Sequence, residues 1–222
     1  MKKTISKFFS AKSDEKPVTD KNKLKELEKE NKELRKQNKN MNDELFSNLC
    51  QIIKTRRSIR HFSNKEIDDK IIYDILESAV NVPCAGNIQN YQVIVVRDKD
   101  LRRDIGRFAL NQGWMENAPV HLVVLRNDTH VKQVYTVDGH LYSIQSVSAF
   151  IQNLLILIHG AGLGGCWVGA YENQAIKDLL GIPGNKEIDA IIPVGYSLET
   201  PKIDKDPMVS MIFYNKHGNR KK

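Results

Sequence analysis

The stretch of residues 143–159 constrains the fold most, because it is apolar around almost the whole circumference of a helix. A helix without a polar face is buried on all sides, either at the centre of a domain or at a contact between subunits. Its longest uninterrupted apolar run, residues 154–158, is far shorter than the roughly 20 residues that span a bilayer. We therefore expect a core helix that ends at Gly160, and no membrane partner.

Shorter predicted elements surround this helix. Apolar runs rich in β-branched residues indicate strands, and amphipathic runs indicate helices. The predicted strands are residues 91–96, 120–125, 166–171, 190–196 and 208–214, and the predicted helices are residues 45–54, 101–111, a run that ends near residue 80, and a run closed by Gly181 and Pro183. Ser63 and Glu66 have the spacing of a capping box for the helix that ends near residue 80. The order contains no strict βα repeat, which favours an α+β fold.

Gly160, Gly162 and Gly165 match the G-x-G-x-x-G pattern of dinucleotide-binding proteins. That pattern binds a pyrophosphate only where it follows a strand and opens a helix, because the helix N-terminus then faces the anion. Here a long predicted helix precedes the glycines and a predicted strand follows them. The negative end of a helix repels phosphate, so we reject a dinucleotide site at these glycines.

The N-terminal 45 residues differ from the rest of the chain. Residues 1–20 are charged and aperiodic, which predicts a disordered basic tail. Apolar and amide side chains then recur alternately three and four positions apart, as in a coiled coil, at Leu24, Leu27, Asn31, Leu34, Asn38, Met41 and Leu45. Asparagine at the a positions favours a parallel two-stranded pairing, in which Lys23 faces Glu28 and Glu30 faces Arg35 of the second strand. A single solvated helix is the alternative, since three heptads are marginal alone.

Charge and cysteine content restrict the function. The 222 residues include 34 Lys and Arg against 27 Asp and Glu, a net charge of +7. Residues 1–45 hold thirteen of the basic and nine of the acidic residues, and residues 216–222 hold four more basic residues. Solvated basic ends explain this distribution better than a nucleic-acid site. The three cysteines form no Cys-x-x-Cys pair, which argues against a zinc site or a disulfide framework and favours a reducing, cytoplasmic environment.

A compact basic cluster follows, Thr55-Arg56-Arg57-Ser58-Ile59-Arg60-His61-Phe62. Three arginines and a hydroxyl group within five residues predict an anion site, because arginine donates forked hydrogen bonds to phosphate and serine adds a neutral donor. A solvated basic turn is the other interpretation of such a cluster.

Three later motifs accompany this cluster. They are Pro83-Cys84-Ala85-Gly86-Asn87-Ile88-Gln89, Gly162-Leu163-Gly164-Gly165-Cys166-Trp167-Val168-Gly169-Ala170, and Leu180-Gly181-Ile182-Pro183 followed by Ile192-Pro193-Val194-Gly195-Tyr196. Together the four motifs resemble those of the FMN-dependent nitroreductase family. The resemblance implies an FMN-binding domain at residues 46–216, after a coiled-coil helix at residues 21–45 and before a basic tail at residues 217–222. It further implies a three-layer α+β sandwich with a mixed, mainly antiparallel sheet, in an intertwined homodimer.

The resemblance also implies which residues bind the flavin. Arg56 and Ser58 match ligands of the phosphate or ribityl oxygens, and Arg57 contributes mainly through its backbone. Arg60 matches a residue at the pyrimidine edge of the ring, where negative charge appears on reduction. The segment lent by the other subunit corresponds to Pro83, Cys84, Ala85, Asn87 and Gln89. The remaining matches are Asn111 beside the ring, Val168 and Gly169 beside flavin N5, and Lys205 at the phosphate.

The activity implied is hydride transfer from NAD(P)H through flavin N5 to an electron-poor acceptor such as a nitroaromatic or a quinone. No side chain is assigned a catalytic role, apart from electrostatic support by Arg60. The alternatives are a reductive dehalogenase, an enone reductase or a flavin-fragmenting enzyme of the same fold, or a flavin-binding redox sensor that acts through the coiled coil. Cys84 replaces the family's usual serine, and Ser146 stands where relatives often have aspartate. The short connection before the central helix leaves no room for a long substrate lid.

Overall fold

The computed structural model describes residues 21–220, and the tail predicted for residues 1–20 lies outside them. Contacts divide the described part of the chain into two units, with the boundary between Gln51 and Ile52. The first described element is helix α1, Lys21–Thr55, which includes the helix expected at residues 45–54 without a break. The side chains of residues 29–49 are all exposed to solvent. Pairing of this helix with a second strand stays a prediction.

The second unit alternates helices and strands. Its helices are α2 (Asp69–Ala79), α3 (Lys99–Phe108), α4 (Thr129–Val134), α5 (Gly139–Gly160) and α6 (Asn173–Leu180). Its strands are β1 (Tyr91–Val96), β2 (Val120–Arg126), β3 (Gly164–Gly165) and β4 (Glu187–Gly195). Gly181 adopts the left-handed conformation that ends α6, as its position in the sequence predicts.

The four strands form one sheet in the order β1-β2-β4-β3, and each neighbouring pair is antiparallel. Val120 of β2 pairs with Val194 of β4, and the register shifts once, between Val124 and Leu125. One parallel bridge, between Ser58 and Gly165, joins the arginine-rich segment to β3. The predicted antiparallel character of the sheet is confirmed.

Helices cover both faces of this sheet. Val120, Leu122 and Val124 of β2 pack with residues of α2 and α5 on one face, whereas Val123 and Leu125 pack with residues of α3 and α6 on the other. Every side chain of β2 is buried, and successive side chains point to opposite faces of the sheet. Such a strand requires a covering layer on each face. The predicted three-layer α+β arrangement is therefore confirmed.

Helix α5 is the one helix among the described residues that is long and apolar enough to cross a membrane by length and composition. Its Phe150, Ile151 and Leu154 are nonetheless buried in the cluster that also contains β2, β4 and α2. One side of α5 therefore lies in the core, as the sequence predicts, whereas its Leu141 and Ile144 are exposed.

Two local predictions in the second unit are wrong: the capping box at Ser63 and the strand at residues 166–171. The helix α2 begins at Asp69 rather than near Ser63, and the Asp68 carboxylate caps it by accepting from the Lys70 N–H at 2.8 Å. Ser63 instead lies outside any helix, and its N–H donates to the Tyr196 carbonyl at 2.9 Å. The strand expected at residues 166–171 is replaced by β3 and a single bridge at residue 168.

The strand predicted at residues 208–214 is also wrong. Met208–Ser210 form a 3-10 turn, in which the Ser210 N–H donates to the Pro207 carbonyl at 3.0 Å. Local hydrogen bonds of this kind take the main-chain donors that a sheet would need. The side chains of Met208, Val209 and Met211 are exposed.

Candidate active site

Residues 56–62 lie beside the sheet and are joined to it by isolated bridges, at Ser58 with Gly165 and at Phe62 with Ser197. The Ile59 N–H donates to the Gly165 carbonyl at 3.1 Å. The approach is closest at Gly164, where a Cβ atom would lie 2.8 Å from the Ile59 side chain. Glycine at this position lets the segment lie directly on β3. The arginines are thereby fixed relative to the sheet.

The buried thiol of Cys166 lies near several of the predicted side chains. The Ser58 side chain and the positive charges of Arg60 and Arg56 are close enough to favour the ionised form of this thiol. Burial raises the pKa of the thiol and outweighs the opposing influence of the two arginines and Ser58, so the thiol stays protonated near neutral pH. The structure therefore brings together Arg56, Ser58 and Arg60.

The three arginines have different environments. Arg56 is half-buried and Arg60 is exposed, and within residues 21–220 neither guanidinium forms a hydrogen bond or an ion pair. The Arg60 guanidinium lies 5.9 Å from the centroid of the Trp114 ring. Arg57 instead donates to the Pro201 carbonyl at 3.2 Å and to two nearby main-chain carbonyls at 2.7 and 2.8 Å. Arg56 and Arg60 thus keep their donors for an anion, whereas Arg57 ties the segment to the loop after β4.

Glu199 is a site residue that the sequence did not predict. One of its carboxylate oxygens accepts from the N–H groups of Arg60 at 2.5 Å and of His61 at 3.0 Å. The bond from the Arg60 N–H, and to a lesser extent the bond from the His61 N–H, lowers the pKa of the Glu199 carboxyl. Its own main chain is held by Ser197, whose hydroxyl donates to the Glu199 carbonyl at 2.7 Å. Lys205 lies further along the same exposed loop, and no contact among the described residues joins it to the arginines.

The backbone beyond Cys166 is open on one side. Val168 exchanges two hydrogen bonds with Ile191 of β4, at 2.9 and 3.0 Å. Gly169 is exposed, and a Cβ atom there would meet only the indole nitrogen of Trp167, at 3.9 Å. The main chain at Gly169 can therefore be approached by a flat ligand.

Asn111 lies in the turn that follows α3. Leu110 and Asn111 both have left-handed backbone, with φ of 56° and 58°. The chain then enters a short 3-10 helix that carries Trp114, the residue beside Arg60. Asn111 is exposed and precedes Trp114 by three residues.

Residues 83–89 form a second group of predicted site residues. The Ala85 N–H donates to the Ser146 hydroxyl at 3.2 Å, and that hydroxyl donates to the carbonyl of residue 142 at 2.8 Å. Gly86 and Asn87 both have positive φ, 60° and 57°, and make a tight turn. Pro83, Asn87 and Gln89 are exposed. The turn is thus held on α5 with its side chains directed to the surface or partly covered.

Helix α5 separates the two groups of site residues. Its His159 lies 2.9 Å from the Thr55 hydroxyl, next to the arginine-rich segment, whereas its Ser146 holds Ala85. Ser146 and His159 are thirteen positions apart on the helix, which corresponds to roughly 20 Å along its axis. A single chain therefore does not bring residues 83–89 to Arg56 and Arg60.

A sequence profile described as the Nitroreductase family matches residues 53–113 and 106–196, which contain both groups. The chain belongs to the nitroreductase family. A protein of Archaeoglobus fulgidus named for NADH dehydrogenase/NAD(P)H nitroreductase is 33% identical over 160 residues, which cover 70% of this chain and 87% of that protein. The NADPH-flavin oxidoreductase of Vibrio harveyi is 28% identical over 71% of this chain and 69% of its own. The solved FMN-dependent nitroreductase of Clostridium difficile matches the fold with a TM-score of 0.64 at 24% identity, over 74% of this chain and 98% of that one.

Membership of the nitroreductase family confirms the resemblance inferred from the four motifs, and with it an oxidoreductase of the nitroreductase type. The matched ranges include the arginine-rich segment, residues 83–89 and the strand β3. The nitroreductase profile ends at residue 196, so Glu199 and Lys205 lie beyond it. Helix α1 lies outside the profile up to residue 52.

Proposed function

We propose that this nitroreductase-family protein binds FMN at the surface around Cys166 and uses it to pass hydride from NAD(P)H to a small, electron-poor acceptor. The observation that carries the proposal is that Arg56 and Arg60, whose guanidinium groups form no ion pair within 4 Å among residues 21–220, both lie within electrostatic reach of Cys166, as does the Ser58 side chain. The names of the relatives from A. fulgidus, V. harveyi and C. difficile include NAD(P)H, flavin and FMN, which supports this choice of reductant and cofactor.

The residues present fit FMN. A flavin phosphate requires charged, forked donors, and the half-buried Arg56 next to Ser58 offers them. The flavin ring requires a flat space beside main chain that can be approached closely, and Gly169 leaves such a space. The unmatched charge of Arg56 in a half-buried position is also the kind of group that a bound anion would satisfy.

FMN, when bound, supplies the hydride transfer, and the protein supplies position and charge. Arg56 and Ser58 would hold phosphate or ribityl oxygens, with Lys205 as a second cation for the phosphate. Arg60 would place a fixed positive charge at the ring edge that gains electron density on reduction. Its position is preorganised, because Glu199 holds its N–H and Trp114 lies beside its side chain.

The remaining assignments concern the ring. The main chain of Val168 and Gly169 would lie beside flavin N5, and the exposed Asn111 would contact the ring with its amide. The main-chain donors and carbonyls of residues 56–58 complete the binding, whereas the Arg57 side chain stabilises the segment itself. These residues orient the flavin and leave one face open for the reductant and the acceptor in turn.

The functional unit is a homodimer, in which residues 83–89 of one subunit complete the flavin site of the other. The separation of roughly 20 Å along α5 supports this arrangement, since these residues do not meet Arg56 in their own chain. Exposed apolar side chains on α5, at Leu141 and Ile144, and beyond β4, at Met208 and Val209, offer surface for the subunit contact.

The proposed flavin site also defines the boundaries of the domains. Residues 46–216 form the FMN-binding domain, residues 21–45 are an added helix, and residues 1–20 and 217–222 are basic ends. Cys50, Cys84 and Cys166 are all free thiols, which supports a reducing, cytoplasmic compartment.

The first experiment is spectroscopic. The purified protein, reconstituted with FMN, should show the visible absorbance of bound flavin and lose it when NADH or NADPH is added. Nitroaromatic or quinone acceptors should then restore it. A protein that takes up no flavin, or whose bound flavin is not reduced by either nucleotide, would rule out the proposed function.

A matched pair of variants then tests the site. Arg56→Ala should lower the affinity for FMN about 10- to 100-fold, because a charged hydrogen bond to an anion contributes about 1.5–3 kcal/mol. Lys54→Ala removes an equal charge from an exposed position on α1 and should leave FMN binding unchanged. Isothermal titration with FMN measures both, and equal losses would reduce the role of Arg56 to a general effect of charge.

A further inference from the structure

Helix α1 carries an apolar stripe on an otherwise polar surface. Leu34, Met41 and Leu45 are 49%, 53% and 60% exposed. Within residues 29–44, Leu34 and Met41 are the only apolar residues, so the other faces of this part of the helix are charged or polar. Half-exposed leucine and methionine at a spacing of seven positions form a seam that fits a second helix.

We propose that α1 pairs with α1 of a second copy of this chain in a parallel, in-register, two-stranded coiled coil through residues 24–45. In this register Leu34 and Met41 occupy d positions, and Asn38 and Leu45 occupy a positions. The pairing is an interaction surface separate from the flavin site, because it lies in residues that the family profile does not match.

Asn38 sets the direction of the two strands. In a parallel pair an a residue faces its own copy, so the two Asn38 amides can hydrogen-bond to each other. In an antiparallel pair an a residue faces a d residue, and the d positions on both sides of residue 38 hold Leu34 and Met41. An amide buried against leucine or methionine would lose its hydrogen bonds to water without replacement, so the parallel pairing is favoured.

The residues that border the seam are complementary in the same register. Glu30 at a g position faces Arg35 at the e position of the second strand, and both side chains are exposed. The next such pair, Gln37 with Asn42, brings together two amides that can hydrogen-bond. Neither pair places like charges together.

The seam is short, and its strength rests in part on the proposed homodimer. A coiled coil of about three heptads is marginal alone, but two helices attached to subunits that already associate meet at an effective concentration of about 1 mM or more. The pairing in turn should hold the two subunits together at low protein concentration.

Disulfide trapping in the full-length chain tests the pairing. Met41→Cys and Leu34→Cys place thiols on the seam, and Asp43→Cys and Lys36→Cys place them on the outer face of the same turns. In a glutathione redox buffer the two seam variants should form disulfide-linked dimers at least about tenfold faster than the two outer variants, because only seam positions come within the reach of a disulfide. The unaltered chain, with its three cysteines, gives the background.

Each outcome of the trapping experiment is decisive. Equal rates at seam and outer positions would overturn the coiled coil. Linking at residue 34 or at residue 41 alone would overturn the parallel register, since an antiparallel pair cannot bring both residues to their own copies. Linking of both seam variants in a protein that binds no flavin would uphold the coiled coil and reject the proposed function.

Exchange of the bordering charges gives a readout that a solitary helix would not show. Glu30→Lys in the Met41→Cys background places a lysine opposite Arg35 twice in each dimer, and should lower the equilibrium fraction of linked dimer several-fold. Adding Arg35→Glu restores opposite charges and should restore that fraction. If the double variant links no better than the single variant, Glu30 does not face Arg35 of the second strand.

Discussion

Residues 56–60 and residues 83–89 are two parts of one proposed flavin site, and the chain holds them in different ways. The first segment is bonded to β3 through its main chain, lies in contact with Gly164, and receives the Glu199 carboxylate from the loop after β4. The second is a surface turn that rests on α5 through one hydrogen bond to Ser146. The segment that carries the charges is thus rigid in its own subunit, whereas the other can adapt to what it completes.

The sharpest way to break this comparison is to damage one segment in each of two chains. In a mixed dimer of an Arg56→Ala chain with an Asn87→Ala chain, one site receives both substitutions and the other receives neither, provided that each site takes its two segments from different chains. FMN titration of the isolated mixed dimer should therefore find one binding site of normal affinity. If both segments came from the same chain, no normal site would be present.

A second prediction compares two glycines of the site. Gly164→Ala should lower the free energy of unfolding by about 1–3 kcal/mol, because its Cβ would lie 2.8 Å from Ile59 and overpack the contact between the arginine-rich segment and β3. Gly169→Ala has room for its Cβ and should change that free energy by less than about 0.5 kcal/mol. Urea denaturation measures both.

The same pair distinguishes stability from binding. Gly169→Ala should still weaken FMN binding if the flavin ring lies against that main chain, whereas Gly164→Ala should weaken both stability and binding. A variant Gly169→Ala with normal affinity for FMN would move the ring away from residue 169.

The two segments also differ in how far the sequence predicts them. Arg56, Ser58 and Arg60 were predicted because charged donors at this spacing suit a phosphate, and the structure brings them together at Cys166. Glu199 was missed because its partners are main-chain N–H groups, which any sequence provides, and only the fold places them opposite a carboxylate. The separation of residues 83–89 from the arginines could not be read from the sequence either, since it depends on the length of α5 between two contacts.

The same reasoning explains which elements of the fold were predictable. Helix α5, β1 and β2 follow from long apolar patterns, which bury surface wherever they occur. The expected strand at residues 208–214 and the capping box at Ser63 depended on which hydrogen-bond partners the chain would meet. The Ser63 N–H donates to the Tyr196 carbonyl instead of lying at the start of a helix. The N–H groups of residues 210 and 211 donate to carbonyls three positions earlier, which forms a turn instead of a strand.

A third prediction concerns pH and the rigid segment. The Glu199 pKa is lowered from 4.5 by the N–H groups of Arg60 and His61, so its carboxylate stabilises the folded state above that value. The contribution is lost as the pH falls below 4.5 through the lower pKa of the folded state. Denaturation of the native chain and of Glu199→Gln at a series of pH values should therefore give a stability difference near pH 7 that shrinks toward about pH 3. A difference that did not change with pH would mean that the charge of Glu199 is not what these amides bind.

The smallest effect is expected at the adaptable segment. Ser146→Ala removes the acceptor of the Ala85 N–H, and should lower the free energy of unfolding by about 1 kcal/mol, the usual contribution of one hydrogen bond. Ser148→Ala is the control, since its half-buried side chain makes no hydrogen bond within residues 21–220. If residues 83–89 complete the site of the other subunit, Ser146→Ala should also weaken FMN binding a few-fold, although it lies roughly 20 Å along α5 from the arginines of its own chain. Loss of stability with unchanged FMN affinity would show that the turn supports α5 alone, and the comparison between the two segments would then be one of structure and not of function.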